Sequence, residues 1–218
     1  MSERCILLLG GSFDPVHTGH VGLARYACTL LHPDVLHLIP AGQPWQKPAL
    51  QTAAEHRVAM LKLAFADWAV PVEIDEQEVL REGPSYTIDS LRALRASLGS
   101  DVSLVLALGA DQLLNLQTWH EWMQLFDLAN LCFVTRPGFD LEQAQIHPQL
   151  ASEIARRSAS PSQLRTTPHG LVYIASNLAL NVSSSEVRTA LAQDRDASEL
   201  LAAPVLDYIQ QHHLYKTN

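Results

Sequence analysis

The chain has 218 residues, of which 47% are hydrophobic and 17% are charged; this composition excludes a disordered or fibrous protein and predicts a single domain over residues 1–218. A formal net charge of −8 argues against nucleic-acid binding, which requires a basic surface. The N-terminal apolar run is too short for a signal peptide and no later run could span a bilayer, so we expect a cytoplasmic protein without membrane contact.

The first third of the chain alternates apolar runs with helical patterns. Residues 5–9 predict a strand that stops at two glycines, a helix follows from about Thr18, and residues 35–39 predict the next strand. A capping box at residues 52–55 predicts the start of a second helix, which runs to about residue 65. A strand, a helix and a strand in this order are typical of a parallel sheet.

The same alternation continues to the end of the chain and predicts an α/β fold with a doubly wound, mostly parallel sheet. The ligand crevice of such a sheet lies at the carboxyl ends of the strands. Residues from about 182 predict a small C-terminal helical part, and residues 158–170, which are rich in Ser, Thr and Pro, predict a loop. The other predicted strands are 70–74, 102–108, 131–135 and 171–174, and the other predicted helices are 91–98, 143–157, 185–192 and 204–212.

A glycine- and histidine-containing motif occupies residues 10–20, between the first strand and the first helix. The glycines allow the backbone to approach a phosphate closely, and the free amides at the helix start favour an anion. His17 and His20 are three residues apart, so both imidazoles can reach one side of the turn, which suits a triphosphate. Taken alone, the two histidines could equally be half of a zinc site or packing residues, although no third ligand is apparent.

A second candidate anion site lies at residues 181–188, Asn-Val-Ser-Ser-Ser-Glu-Val-Arg, where a helix is expected to begin. Its hydroxyls and amides can bind an anion, and Arg188 would add positive charge. The alternative is an ordinary helix cap by Ser184 or Ser185, with Glu186 near the positive end of the helix and Arg188 merely exposed.

Residues 11–20, Gly-Ser-Phe-Asp-Pro-x-His-x-Gly-His, resemble the signature of the nucleotidyltransferase superfamily. The resemblance implies a Rossmann-like nucleotidyltransferase fold in which His17 and His20 contact the phosphates of ATP. Residues 182–188 resemble the Ile-Ser-Ser-Thr-x-x-Arg element of these enzymes, which implies that Arg188 lies near the β- and γ-phosphates. The implied ATP-binding residues are Gly10, Gly11, Ser12, Phe13, Gly109, Asp111, Ser183, Ser184, Ser185 and Arg188.

Three segments lie between the two motifs, at residues 40–47, 83–87 and 116–120, and they resemble the corresponding segments of the nicotinate-nucleotide adenylyltransferase family. The resemblance implies that Lys47 reaches the phosphates, that the amide of Thr87 receives a pyridine carboxylate and that the indole of Trp119 stacks on the pyridine ring. Arg57 is either a phosphate contact or a surface charge. The implied binding set for nicotinate mononucleotide is Ser12, Lys47, Thr87, Trp119, His120 and Arg136.

The family resemblance implies adenylyl transfer from ATP to nicotinate mononucleotide, which yields deamido-NAD and pyrophosphate. Mg²⁺ would accompany ATP, with no metal ligands predicted among the protein side chains, and the catalytic residues would be His17, His20, Lys47 and Arg188. The partners would be these small molecules alone, bound by a monomer or a homodimer. The alternatives are another acceptor, namely nicotinamide mononucleotide or phosphopantetheine, or a non-catalytic nucleotide sensor on the same fold.

Overall fold

The computed structural model describes residues 4–44, 50–135, 146–175 and 182–216. Its main sheet contains six strands, and a separate pair of two-residue strands, β3 and β5, lies apart from that sheet. The strands in chain order are β1 (Cys5–Gly11), β2 (Val35–Pro40), β3 (Gln43–Pro44), β4 (Val72–Ile74), β5 (Pro84–Ser85), β6 (Ser103–Gly109), β7 (Asn130–Val134) and β8 (Val172–Ala175).

All neighbouring strands of the main sheet are parallel, and their order is β4-β2-β1-β6-β7-β8. The chain begins in the middle at β1, moves outward to β4, and then returns to the other side of β1 to form β6, β7 and β8. This order is that of a doubly wound sheet, which confirms the predicted fold class. The direction in which successive strands are added reverses between β1 and β6. The carboxyl ends of these two strands therefore border the expected crevice.

Helices connect the strands and cover both faces of the sheet. The α-helices are α1 (Thr18–Leu31), α2 (Ala54–Ala64), α3 (Thr87–Leu98), α4 (Ala110–Asn115), α5 (Leu125–Leu128), α6 (Pro148–Arg157), α7 (Pro161–Thr166), α8 (Ser184–Ala192) and α9 (Ala203–Gln211), with short 3-10 helices at Leu116–Thr118 and Trp122–Gln124. Within the described ranges, no helix has both the length and the apolar character that a membrane span requires.

The side chains of β1 alternate between two hydrophobic clusters, one on each face of the sheet. Cys5, Leu7 and Leu9 belong to a cluster that includes residues of α1, α2, α8 and α9, whereas Ile6 and Leu8 belong to a cluster that includes residues of α3, α4 and α5. Because both faces are covered, the central strands are apolar throughout. The C-terminal helices α8 and α9 pack on the same face of the sheet as α1. This packing brings α8 next to the loop after β1.

The predicted capping box at residues 52–55 is wrong. Helix α2 begins at Ala54, and its N-cap residue, Ala53, makes no side-chain cap. Thr52 is buried, and its carbonyl accepts a hydrogen bond from the Arg57 guanidinium (3.2 Å). The start of this helix is therefore held by a buried arginine instead of by a reciprocal pair of caps.

The prediction that residues 158–170 form a loop is also wrong, because they contain α7. Ser160 caps this helix: its hydroxyl accepts from the amide of Gln163 (3.4 Å), and the Gln163 side chain accepts from the amide of Ser160 (2.8 Å). This is a capping box with Pro161 in the first turn, a start signal that the Ser- and Pro-rich composition obscured. The helix predicted over 143–157 begins at Pro148 among the described residues; residues 143–145 lie outside them.

Candidate active site

A cavity of about 660 Å³ opens at the carboxyl ends of β1 and β6. This is the size of an ordinary small-molecule site. Two of the predicted site residues, Lys47 and Arg136, lie outside the described residues. All the other predicted site residues line this cavity: Gly10, Gly11, Ser12, Phe13, His17, His20, Thr87, Gly109, Asp111, Trp119, His120, Ser183, Ser184, Ser185 and Arg188.

The two histidines of the first motif stack on each other at the start of α1, with ring centroids 3.8 Å apart. His17 is the N-cap residue and only 5% exposed, and its amide donates to Nδ1 of His20 (3.3 Å). Because Nδ1 of His20 accepts, the proton of its neutral ring lies on Nε2, which can donate to a phosphate oxygen. The local hydrogen bond thus orients His20 as a donor.

Gly19 allows the two motifs to approach each other. A Cβ atom at this position would lie 3.0 Å from the His17 ring and 3.1 Å from the carbonyl oxygen of Val182, the residue that precedes the three serines. Both distances are shorter than ordinary van der Waals contacts, so any side chain would displace the ring or the backbone. The glycine of the His-x-Gly-His sequence thus allows the close approach of the His17 ring and the Val182 backbone.

Phe13 supports the loop after β1 (residues 12–17) from the side of the core. Its side chain is fully buried in the hydrophobic core, its backbone is left-handed (φ 48°), and its ring contacts Gly11 and, edge-on, His20. The predicted role in ATP binding is thus open to the main chain of Phe13 only, because the aromatic ring faces the core.

The second motif begins α8 and is bonded directly to the first. Ser183 is the N-cap, since its hydroxyl accepts from the amide of Glu186 (3.2 Å), so the cap lies one or two positions before the serines that the simple-cap alternative proposed. Ser184 donates to the carbonyl of Pro15 (3.3 Å), and Arg188 donates to the carbonyl of Asp14 (2.7 Å). Arg188 is therefore oriented by the first motif and is not a free surface charge.

Arg188 keeps its positive charge available for a ligand. Its two hydrogen bonds go to neutral acceptors, the carbonyl of Asp14 and the hydroxyl of Ser185 (3.2 Å). Among the described lysines and arginines, it is the one that lines the cavity. A polyphosphate would therefore meet an unneutralised guanidinium at this end of the cavity.

Neither interpretation of Arg57 is correct, because it is buried, at 2% exposure, behind the loop after β1 and does not line the cavity. It donates to the carbonyl of Ser12 (2.8 Å) as well as to that of Thr52 (3.2 Å). Burial lowers the pKa of its guanidinium from the usual value, against the opposing effect of the Asp14 carboxylate. Arg57 thus braces the backbone of the loop and does not face a ligand.

The end of β6 contributes the third wall of the cavity. Gly109 caps α4, and Asp111 lies in the first turn of that helix. A Cβ atom at Gly109 would lie 3.3 Å from the Asp111 carboxylate, so the glycine leaves room for this side chain beside the end of β1. Asp111 is exposed at the cavity, as a predicted contact of ATP needs to be.

The predicted acceptor residues come together at the start of α3. Thr87 is the first residue of that helix, where amides lack acceptors within the helix. The ring of the preceding residue, Tyr86, lies 4.5 Å from the His120 ring, which brings the segment 119–120 next to Thr87. The Trp119 indole nitrogen is buried, with no hydrogen-bond partner among the described residues. Two segments far apart in sequence thus form one end of the cavity.

Glu78 is a cavity residue that the sequence patterns did not single out. It is 8% exposed, and its carboxylate accepts a hydrogen bond from the Ser90 hydroxyl (2.6 Å). Burial raises the pKa of this carboxyl above its ordinary value, although the Ser90 hydrogen bond opposes the shift. No local motif marks Glu78, because its burial depends on the packing of the loop at residues 75–82 against α3.

Among the described residues, no three His, Cys, Asp or Glu side chains are grouped as a metal site. The acidic residues that line the cavity are Asp14, Glu78 and Asp111, and the first two are committed to hydrogen bonds within the protein. This donor set suits a hard cation that arrives bound to phosphate oxygens and water, as Mg²⁺ does with nucleotides.

The sequence matches the cytidylyltransferase-like family over residues 8–190. A protein of Herminiimonas arsenicoxydans is 52% identical over 214 residues, which cover 98% of each chain, and one of Dechloromonas aromatica is 41% identical over 212 residues, which cover 97% of each. Both relatives bear the name "Probable nicotinate-nucleotide adenylyltransferase".

Solved structures with the same fold include Plasmodium falciparum nicotinic acid mononucleotide adenylyltransferase, complexed with NaAD. Its TM-score is 0.74 at 19% sequence identity, with 99% of each chain covered. The same enzyme complexed with APC gives a TM-score of 0.73 at 18% identity. At this identity the structural similarity establishes the nucleotidyltransferase fold, and the geometry of the site must be judged from this chain's own residues.

Proposed function

The chain belongs to the nicotinate-nucleotide adenylyltransferase family, and on that premise we propose that it transfers the adenylyl group of ATP to nicotinate mononucleotide, with release of pyrophosphate. One observation carries the proposal: a single cavity is lined both by the two motifs, whose part of the cavity we call the ATP end, and by Thr87, Trp119 and His120, whose part we call the acceptor end. Two substrates can thus lie end to end across the switch point of the sheet.

The ATP end of the cavity combines hydrogen-bond donors with positive charge. His17 and His20 donate to the phosphate next to the reacting phosphorus, and Arg188 with the serines of residues 183–185 holds the outer phosphates. Gly10 and Gly11 allow the backbone to come close, and Asp111 holds the ribose. We also propose Lys47 as a phosphate contact and Arg136 as an acceptor contact, as the family resemblance implies; both lie outside the described residues.

The reaction is an in-line attack of the acceptor phosphate oxygen on the α-phosphorus of ATP, in which the bond to the β-phosphate oxygen breaks. A phosphate nucleophile is already ionised at neutral pH, so no general base is needed. Catalysis then consists of alignment and of stabilising the charge that moves to the leaving pyrophosphate. His17, His20 and Arg188 supply that stabilisation from fixed positions.

The acceptor end favours a carboxylate. The Thr87 amide, at the positive end of α3, and the amide of His120 are donors, and a carboxylate accepts hydrogen bonds only. A carboxamide would also need an acceptor for its NH₂ group, so nicotinate mononucleotide is preferred to nicotinamide mononucleotide. The Trp119 indole provides the flat surface on which the pyridine ring stacks.

Mg²⁺ would enter the site with ATP and, when bound, would neutralise part of the polyphosphate charge. Among the described residues, no three His, Cys, Asp or Glu side chains are grouped so that they could hold a metal ion.

The experiment is pyrophosphate release with ATP and Mg²⁺, with nicotinate mononucleotide, nicotinamide mononucleotide and phosphopantetheine compared as acceptors. We expect the highest kcat/KM with nicotinate mononucleotide. A preference for another acceptor would retain adenylyl transfer but refute the role given to Thr87 and His120. Binding of ATP without pyrophosphate release for any acceptor would indicate a nucleotide sensor instead.

A further inference from the structure

We propose that Tyr215 and Asp14 form a positioning pair, which fixes the loop after β1 and thereby aims Arg188 at the phosphates. The inference rests on the proposed function, because it assigns a task to residues that flank the ATP end of the cavity. Tyr215 belongs to the C-terminal segment and does not line the cavity itself. Its effect would therefore pass through Asp14.

Asp14 is a buried carboxylate at 2% exposure, and both of its oxygens are occupied. Oδ1 accepts from the Tyr215 hydroxyl (2.7 Å), and Oδ2 accepts from the amide of Gln51 (2.8 Å). Three segments that are distant in sequence thus meet at one side chain: the loop after β1, the segment that precedes α2 and the C-terminal segment. A buried carboxylate needs such partners to offset the loss of water.

The backbone of the same residue holds the arginine. The carbonyl of Asp14 accepts from Nη1 of Arg188 at 2.7 Å, and the carbonyl of the next residue, Pro15, accepts from the Ser184 hydroxyl. Any rotation of the Asp14 peptide would therefore move the acceptor that sets the direction of the guanidinium. The side chain of Asp14 prevents that rotation through its two hydrogen bonds.

Tyr215 is the second member of the pair, and its hydroxyl is the donor to Asp14. Its backbone is left-handed (φ 62°). Burial raises the pKa of this phenol, so the hydroxyl remains protonated and donates to Asp14 at any working pH.

This arrangement makes Tyr215 a positioning residue for ATP and leaves the acceptor end unaffected, since Thr87 and His120 have no contact with the pair. A residue with a merely structural role would lower stability without favouring one substrate. The pair should therefore be detected as a change in the KM for ATP at an unchanged KM for the acceptor.

The test compares Tyr215→Phe, which keeps the ring and removes the hydroxyl, with Tyr208→Phe. Tyr208 lies in the same C-terminal part, and its hydroxyl contacts His56 Nδ1 (2.9 Å) instead of the loop. We expect Tyr215→Phe to raise the KM for ATP and the dissociation constant of a non-hydrolysable ATP analogue by about three- to tenfold, the range for one lost hydrogen bond. The KM for the acceptor should stay within about twofold, as should both constants in the control.

Asp14→Ala and the double variant complete a cycle. Alanine removes both carboxylate oxygens, whereas asparagine would still offer the Tyr215 hydroxyl an acceptor. If the two residues act through one hydrogen bond, the double variant should be little worse than Asp14→Ala alone. A loss in the double variant equal to the product of the two single losses, or equal ATP constants in Tyr215→Phe and Tyr208→Phe, would overturn the inference while leaving the function intact. Absence of turnover in the unmodified protein would instead refute the proposed function, and the analogue dissociation constants would then decide the inference. Tyr215→Phe decides it by itself if Asp14→Ala does not fold.

Discussion

The two histidines of the first motif have different local tasks although they lie three residues apart. His17 ends the extended segment and is nearly buried, whereas His20 receives the amide of His17 at Nδ1 and directs Nε2 outward. A neutral imidazole held in this way is a hydrogen-bond donor of fixed direction, which costs no reorganisation during the reaction.

His17→Ala and His20→Ala should each lower kcat by roughly 10²- to 10³-fold, the cost of removing one donor aimed at developing charge. The melting temperature should change little for His20, whose ring lies at the cavity. His169→Ala, at an exposed position outside the cavity, is the control and should keep kcat within about twofold. Near-normal turnover in either of the first two variants would refute their assignment.

Glu78→Gln tests the buried carboxyl at the acceptor end. Burial raises the folded-state pKa above the ordinary value of 4.5, so the folded state holds the proton more tightly than the unfolded state does. The carboxyl therefore costs no stability below about pH 4.5 and destabilises the fold increasingly as the pH rises through and above that value. Gln keeps the acceptor for Ser90 and removes this cost.

We expect Glu78→Gln to match the unmodified protein in stability near pH 4 and to exceed it by about 1 kcal/mol near pH 8. Urea unfolding at the two pH values measures the difference. Glu82→Gln, at an exposed neighbouring position, controls for the loss of one negative charge. A stability gain that is the same at both pH values would contradict the effect of burial.

The short helix α7 contributes a buried residue to the core and depends on its N-terminal cap. Its Leu164 side chain is fully buried, and the Leu164 carbonyl accepts from the Ser103 hydroxyl (2.6 Å) and from the Asn130 amide group (3.1 Å). The helix thus covers the beginning of β6 and β7. Its six residues are too few to be stable without the capping box and this packing.

Ser160→Ala should therefore destabilise the protein by about 1 kcal/mol, the usual value for a lost N-cap. Ser152→Ala is the matched control, because Ser152 is exposed within α6, where alanine is the better helix former. Urea unfolding should show a lower midpoint for Ser160→Ala at an unchanged slope. Equal midpoints for the two variants would mean that the cap contributes nothing.

At the scale of the whole molecule, the strands were predictable because the central ones are buried on both faces and appear as continuous apolar runs. The strand that begins at Cys5 and the one that ends at Gly109 needed no tertiary information. Helix α7 was missed because its composition resembles a loop, and only the Ser160–Gln163 spacing indicated it.

The site was predictable where a local motif carries the chemistry, as for His17 and Arg188, and was not where contacts join distant segments. The hydrogen bond between Asp14 and Tyr215 spans 201 positions, and nothing in the sequence near either residue specifies it. Both interpretations of Arg57 were wrong for the same reason. Its burial depends on a contact with the distant loop after β1, whose Ser12 carbonyl accepts from its guanidinium.

Chelation offers a test that involves the whole protein. Because the described side chains form no metal cluster, removal of divalent ions by EDTA should leave the melting temperature of the nucleotide-free protein unchanged while abolishing turnover. With Mg²⁺ and an ATP analogue at about 100 times its dissociation constant, stability should rise by about 2.7 kcal/mol. Destabilisation of the nucleotide-free protein by EDTA would reveal a resident structural metal and contradict this account.

The fate of a label at the α-phosphate of ATP most directly tests the transfer of the adenylyl group to nicotinate mononucleotide. With Mg²⁺ and nicotinate mononucleotide, we expect the α-label to appear in a dinucleotide with the mass of deamido-NAD, while a label at the γ-phosphate leaves in pyrophosphate. If the α-label instead remained in ATP or appeared in free AMP or ADP, the proposed chemistry would be contradicted.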